Sequence, residues 1–307
     1  MSALALRMDL VTFGEAMVRL ELASSLEVGV GGSELNVAVL AARLGARSCW
    51  VSRLPDNMLG RMIASRAREQ GVDARVEWTA DGEGRVGLYF VEIGGARISS
   101  VLYDRAGSAI SRITPGSVDW ASVFADARWY HVSGITPALS DGAAQVTAES
   151  LAAAKKAGLT VSYDLNYRSK LWSAEQARAV QEPLLEYVDV LIAAEDDARV
   201  IFGAESAESL AKRFEIGAVA ITLRDNPRSA TVAADGRVYS APRFEVESVD
   251  PIGAGDAFCG GLIVSRLEQR GWDDAVRFAS ATAALKHTIP GDFCLVTRNE
   301  VEELLAR

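Results

Sequence analysis

The stretch Asp250-Pro251-Ile252-Gly253-Ala254-Gly255-Asp256-Ala257-Phe258 holds the residue types that phosphoryl transfer needs. Two glycines flanking an alanine let successive backbone N–H groups turn toward one point. The apolar helical run that follows puts that point at the positive end of a helix dipole, where the charge of a moving phosphoryl group is stabilised. Asp256, at the head of the same helix, is a carboxylate able to take the proton of an attacking hydroxyl. The pattern is neither a P-loop, which would continue as Gly-Lys-Ser/Thr, nor a dinucleotide-binding G-x-G-x-x-G after the first strand. By itself it also fits a plain helix N-terminus that carries a carboxylate.

The elements needed to position this turn can be read along the chain. Val11-Thr12-Phe13 followed by Gly14-Glu15 reads as a buried strand ending in a turn, where α/β proteins present polar groups to a ligand. Gly31-Gly32-Ser33 precedes a helical pattern from Glu34 to Leu44, with Ser33 expected as N-cap and Gly45 as the C′ residue, so the junction offers free N–H groups. From Gly84 to Tyr103 the period becomes two: Val86, Leu88 and Phe90 in one run and Ile98 to Tyr103 in a second, joined near Gly94-Gly95, predict a hairpin. Strands are then expected at Ala127–Val132, Leu159–Asp164, Val188–Ala193, Ala218–Leu223 and Ala230–Ala233, with a β-like stretch at Phe244–Val249. Helices are expected at Gly142–Ala157, Ala174–Tyr187, Gly255–Gln269, Trp272–His287 and Arg298–Ala306. Strands spaced by helices imply βαβ units and a mainly parallel sheet. No linker divides residues 1–307, so one α/β domain is expected, with a small β-sheet lid drawn from within about 12–32 and 84–104.

Bulk properties narrow the partners. A formal charge of −9 opposes unspecific attraction to the phosphate backbone of nucleic acid and favours small molecules. Cys49, Cys259 and Cys294 are odd in number and in no C-x-x-C spacing, which argues against a disulfide framework or a zinc site and for a reducing cytoplasmic setting. Neither a signal-peptide pattern nor an apolar run approaching the ~20 residues of a membrane span is expected from the chain.

The two glycine-bearing segments together resemble the paired signatures of the ribokinase-like, or PfkB, carbohydrate kinases: Gly31-Gly32-Ser33-Glu34-Leu35-Asn36-Val37-Ala38 the first, Asp250 to Phe258 the second. The likeness runs from Val11 to about Leu305. It implies a ribokinase-like three-layer sandwich with a β-sheet lid over the sugar, Asp256 as catalytic base, and Gly253, Ala254 and Gly255 as the anion hole. Within the family, Tyr103-Asp104-Arg105-Ala106-Gly107-Ser108-Ala109, His131 to Pro137, Asp164-Leu165-Asn166-Tyr167-Arg168 and Gly291-Asp292-Phe293 look most like the 2-keto-3-deoxygluconate kinases, whose substrate carries a carboxylate. Arg105 and Arg168 then become clamps, since a guanidinium grips a carboxylate through paired N–H donors. The resemblance further implies Glu15, Gly32, Tyr89, Tyr103, Ile135 and Asn166 around the sugar, with Asn36 on a hydroxyl. ATP is expected near Thr222, Arg224, Ala283 and His287, with Mg2+, and a monovalent cation is a further candidate. Tyr89 and Tyr103 also fit cross-strand packing, and His131 a structural role.

Two segments depart from the family pattern. Ala194-Glu195-Asp196-Asp197 stands where many relatives carry Asn-x-x-Glu, so Asp197 replaces the glutamate near the metal, through water, and the asparagine is missing. Leu223 to Ala230 replaces a Gly-x-x-Gly turn and contains Pro227, which removes an N–H donor. Two alternatives accompany the acid-sugar kinase: a kinase for a neutral sugar such as fructose or ribose, and a non-catalytic sugar- or nucleotide-binding relative. Exposed lid edges also suggest a homo-oligomer joined through lid strands.

Overall fold

The computed structural model describes residues 7–22, 25–80, 82–92, 100–204, 206–223 and 229–307. The first half supplies β1 (Met8–Phe13), β2 (Met17–Leu22), β3 (Leu26–Gly31), α1 (Ser33–Arg43), β4 (Ser48–Pro55), α2 (Met58–Glu69), β5 (Asp73–Thr79), β6 (Leu88–Glu92) and β7 (Ser100–Asp104). After these come α3 (Trp120–Phe124), β8 (Ala127–Ser133), α4 (Asp141–Lys156), β9 (Thr160–Asp164), α5 (Ala174–Leu184), β10 (Val190–Ala194), α6 (Glu195–Phe202) and α7 (Ala207–Phe214). The chain closes with β11 (Ala218–Thr222), β12 (Ala230–Ala234), β13 (Arg237–Ser240), α8 (Ala254–Leu267), α9 (Trp272–Lys286) and α10 (Arg298–Leu305).

Nine strands form one sheet in the order β13-β12-β11-β10-β9-β8-β1-β4-β5. It is parallel from β11 to β5, while β12 and β13 pair antiparallel at one edge. The alternation of strand residues sorts the core into two layers. Val11, Tyr130, Val161, Leu191 and Val219 pack under α3 to α7, while Leu10, Trp129, Val190, Ile192 and Ala220 pack under α1, α8 and α9. Helices on both faces give the three layers that the strand–helix alternation implies.

A second sheet, β3-β2-β6-β7, forms the lid. In-register residues of neighbouring strands share a face, so Arg19, Tyr89 and Tyr103 lie on one side and Val28, Leu20, Phe90 and Leu102 on the other. Of the hairpin expected within 84–104, β6 starts at Leu88 rather than Val86 and β7 is described from Ser100, while Ile98, Ser99 and the Gly94-Gly95 junction fall outside the described residues.

Three local expectations are corrected. Phe244–Val249 forms no strand; it is irregular chain, with the Val249 and Asp250 N–H groups donating to the His287 carbonyl at 2.7 and 3.0 Å. α5 ends at Leu184, and a 3-10 turn carries the chain to Tyr187. At α1 the cap is Gly32, not Ser33, whose hydroxyl is committed elsewhere. Gly45 does follow α1 at φ 96°, with its N–H and that of Ala46 closing on Ala42 and Ala41.

Candidate active site

The residues expected to carry phosphoryl transfer converge where the second sheet meets the carboxyl ends of the central strands, the usual place for a ligand in an open α/β sheet. A cavity of about 370 Å³ lies there, with Gly253, Gly255 and Asp256 on one wall and Tyr103, Arg105 and Arg168 among its other lining residues. A second cavity of about 870 Å³ adjoins it through Ala194, Thr222, Pro251 and Gly255.

The turn before α8 is built for close approach. Gly253 caps the helix at φ 83°, a left-handed conformation that L side chains rarely adopt, and a Cβ there would lie 2.3 Å from the Asp292 carbonyl. The leading N–H groups of a helix lack internal partners. Here the Ala254 N–H turns back to the Pro251 carbonyl at 3.3 Å and Ala254 lines the second cavity, Gly253 lines the first, and Gly255 stands between the two and lines both. The expected trio thus stands at the junction of the two cavities.

Asp256 is held in place by the other signature. Asn36 Nδ2 and Ser33 Oγ each donate to one of its carboxylate oxygens at 2.7 Å. Asn36 Oδ1 accepts the Gly32 N–H at 3.3 Å, and Asn166 Nδ2 donates to Ser33 Oγ at 3.0 Å. Asn36, expected on a substrate hydroxyl, holds the Asp256 carboxylate and also lines the cavity. Burial raises the Asp256 pKa, opposed by the Asn36 and Ser33 hydrogen bonds and by the Arg168 charge.

Asp164, at the end of β9, was not singled out as a site residue, although it opens the Asp164-to-Arg168 segment. It lines the cavity, and burial, helped by the charges of Asp197 and Asp256, pushes it up to about 8. Asp197 accepts the Tyr167 N–H at 3.0 Å. Among the described residues no ready-made cluster of metal ligands exists. Asp164 and Asp197 nonetheless form an oxygen-bearing pair whose mutual repulsion a divalent cation would relieve.

Arg105 is paired: its Nε donates to Glu15 Oε2 at 2.8 Å, its Nη2 reaches the same oxygen, and its guanidinium lies 5.6 Å from the Tyr103 ring centre. Arg168 is exposed, with its charge felt by both Asp164 and Asp256. Tyr89 and Tyr103 stack at 6.0 Å as a cross-strand pair and also line the cavity, so both readings of them hold. Gly32 has no room for a side chain, since a Cβ would meet the Glu15 carbonyl at 2.1 Å. Ile135 is buried at the cavity wall.

On the second cavity, Thr222, Ala283 and His287 come together as expected, while Arg224 lies outside the described residues. His287 Nδ1 shares a 3.0 Å hydrogen bond with Ser248 Oγ. His131 is structural: buried in β8, it bonds Ser162 Oγ at 2.8 Å, and burial lowers its pKa to about 3.

The model of the pfkB family carbohydrate kinases matches residues 5–292. The chain belongs to that family. It is 42% identical to the 2-dehydro-3-deoxygalactonokinase of Haloferax volcanii over 97% of its own length and 96% of the relative's. The crystal structure of 2-dehydro-3-deoxygluconokinase from Thermotoga maritima superposes with a TM-score of 0.93 at 38% identity, covering 98% of this chain and 99% of that one. A ribokinase II from E. coli in complex with ATP and Mg2+ shares the fold, with a TM-score of 0.87 at 21% identity over 98% and 99% of the two chains. This carbohydrate kinase thus has the three-layer architecture and lid that its signatures imply.

Proposed function

We propose that this kinase transfers the γ-phosphoryl group of ATP to the primary hydroxyl of an acidic keto-sugar, 2-keto-3-deoxygluconate, giving its 6-phosphate. The observation that carries the reading is one cavity lined by the half-buried Asp256 carboxylate, a glycine turn at a helix N-terminus and two arginines. The names of the similar kinases from Haloferax volcanii and Thermotoga maritima support a keto-deoxy acid. Asp256 takes the hydroxyl proton; the oxygen bonds to the γ-phosphorus as the bond to the leaving ADP oxygen breaks. The Gly253 and Gly255 N–H groups hold the developing charge. Arg168, exposed and without a competing carboxylate bond as short as that of Arg105, grips the sugar acid, while Arg105, tied to Glu15, shapes the pocket beside Gly32, Tyr89, Tyr103, Ile135 and Asn166.

ATP occupies the second cavity, between Thr222, Ala283 and His287. Asp197 and Asp164 would hold Mg2+ through their carboxylate oxygens, and the ion would supply the charge that neutralises the phosphates. Residues 1–307 act as one catalytic unit. The free thiols of Cys49, Cys259 and Cys294 support a reducing, cytoplasmic setting, and among the described residues no helix is long and apolar enough to cross a membrane. Its lid strands join two copies through the face that carries Val28 and Leu102.

Release of ADP over a panel of keto-deoxygluconate, its galactonate epimer, fructose and ribose tests the reading. The acid sugars should exceed the neutral ones in kcat/KM by at least about tenfold, and Arg168→Ala should raise KM for the acids alone. Asp256→Asn should abolish turnover on all of them. A preference for fructose, or a working Asp256→Asn enzyme, overturns the assignment.

A further inference from the structure

Lys286 ends α9 with its side chain completely buried, and no step of the transfer uses it. An ammonium is costly to bury unless its donors are satisfied and its charge is matched. Here Nζ donates to the Ile289 carbonyl at 2.9 Å and the Asp250 carbonyl at 3.2 Å. The Asp250 and Asp292 charges offset the desolvation that lowers its pKa. The same two acids bind Arg19, whose Nη2 and Nη1 reach them at 2.7 and 2.8 Å. Two buried cations and two buried acids thus form one cluster beneath the lid.

The cluster sits directly under the anion-hole turn. The Asp250 carboxylate accepts the Ile252 N–H and the Gly291 N–H, both at 2.9 Å, so it ties the turn to the loop after α9. Its carbonyl faces the Lys286 ammonium. A Cβ at Gly253 would lie 3.4 Å from Lys286 Cε, so the turn rests on the lysine stem. Carbonyl oxygens from two loops converge on a single positive charge, as they would on a bound ion. That charge arrives covalently, on a helix of the same chain.

We propose that the Lys286 ammonium is a built-in cation that locks the carbonyls beneath residues 250–253 and so keeps the Gly253 and Gly255 N–H groups aimed at the transferring phosphoryl group; turnover then needs no monovalent cation from solution. Lys286 is a positioning residue, because it reaches the chemistry only through the turn. The inference rests on the anion-hole role proposed for that turn.

Two measurements test it. Wild-type kcat should agree within about twofold in potassium, sodium and tetramethylammonium chloride at equal ionic strength, because an internal charge is neither diluted nor exchanged. Folded Lys286→Ala should lose kcat by about 10²-fold with both KM values little changed, and added ammonium or potassium should restore much of the loss by filling the vacated site. Strong activation of the wild type by potassium, wild-type kcat in Lys286→Ala, or a deficit that no cation moves overturns the proposal. Lys286→Met, which keeps the volume without the charge, serves if the alanine protein does not fold; wild-type kcat there is equally fatal. An inactive Asp256→Asn beside a fully active Lys286→Ala would sink this inference and leave the kinase assignment standing.

Discussion

At the scale of single residues, burial raises the pKa of several acids that frame the cavity. Glu34 accepts the Ser133 N–H at 3.0 Å, the Ser133 hydroxyl at 2.7 Å and the Thr136 hydroxyl at 2.9 Å, all at Oε1. Its carboxyl fills the space where a Cβ on Gly14 would otherwise stand. The side chain thus joins the ends of β1 and β8 to the helix that carries Ser33 and Asn36. Burial pushes its pKa up from 4.5 to about 7, more than those hydrogen bonds pull it down. The native state therefore binds more protons than the unfolded one between these values. Stability falls as pH rises through this window, by on the order of 3 kcal/mol for this group. Asp164, Asp256 and Asp292, also raised, add slopes of the same sign. Denaturant melts at pH 5 and pH 7.5 should show a smaller loss for Glu34→Gln than for wild type. Equal losses in the two proteins would place the titration elsewhere.

At the scale of elements, the two glycines of the turn do different work, and substitution separates them. At Gly253 an alanine must adopt φ 83° and meet the Asp292 carbonyl at 2.3 Å, so Gly253→Ala should cost at least about 1–2 kcal/mol of stability together with activity. A Cβ at Gly255 meets nothing within 4 Å and points into open space, so Gly255→Ala should melt like wild type while crowding the phosphate path and lowering kcat/KM. Equal effects in melting and turnover assays would contradict the division of labour between them. The turn was legible in the sequence because local spacing encodes it, as were the strands from Ala127 to Ala233 whose alternation is strong. The charge cluster of Arg19, Asp250, Lys286 and Asp292 was not, since residues up to 273 apart in the chain meet only through the fold. Asp164 was missed as a site residue for the same reason: its neighbours Asp197 and Asp256 come from other elements. Phe244–Val249 read as a strand from its residue types, yet the Val249 N–H, like that of Asp250 beyond it, is taken by the His287 carbonyl.

At the scale of the whole molecule, the lid has two faces with opposite needs. One, bearing Tyr89, Tyr103 and Arg19, covers the cavity and the charge cluster. The other packs Val18 and Val30 against the α2 side but, toward the strand tips, leaves Leu26 58%, Val28 54% and Leu102 64% exposed. Val28, Leu20, Phe90 and Leu102 stand side by side across all four strands, an apolar row that water solvates poorly. Among the described residues no further strand pairs with either edge strand, β3 or β7, although Lys170 Nζ donates to the Val101 carbonyl of β7 at 2.8 Å. A twofold contact between two lids would bury both rows at once, since the same patch faces itself across such an axis. Light scattering of the wild type should then give twice the 32.8 kDa chain mass. The Val28→Asp, Leu102→Asp protein should give the single mass, because each copy would set carboxylates against carboxylates in an apolar contact. Because the cavity face of the lid is braced from behind, the same variant should also raise KM for the sugar. A wild type that scatters as one chain would overturn the lid contact and leave the chemistry of the cavity untouched.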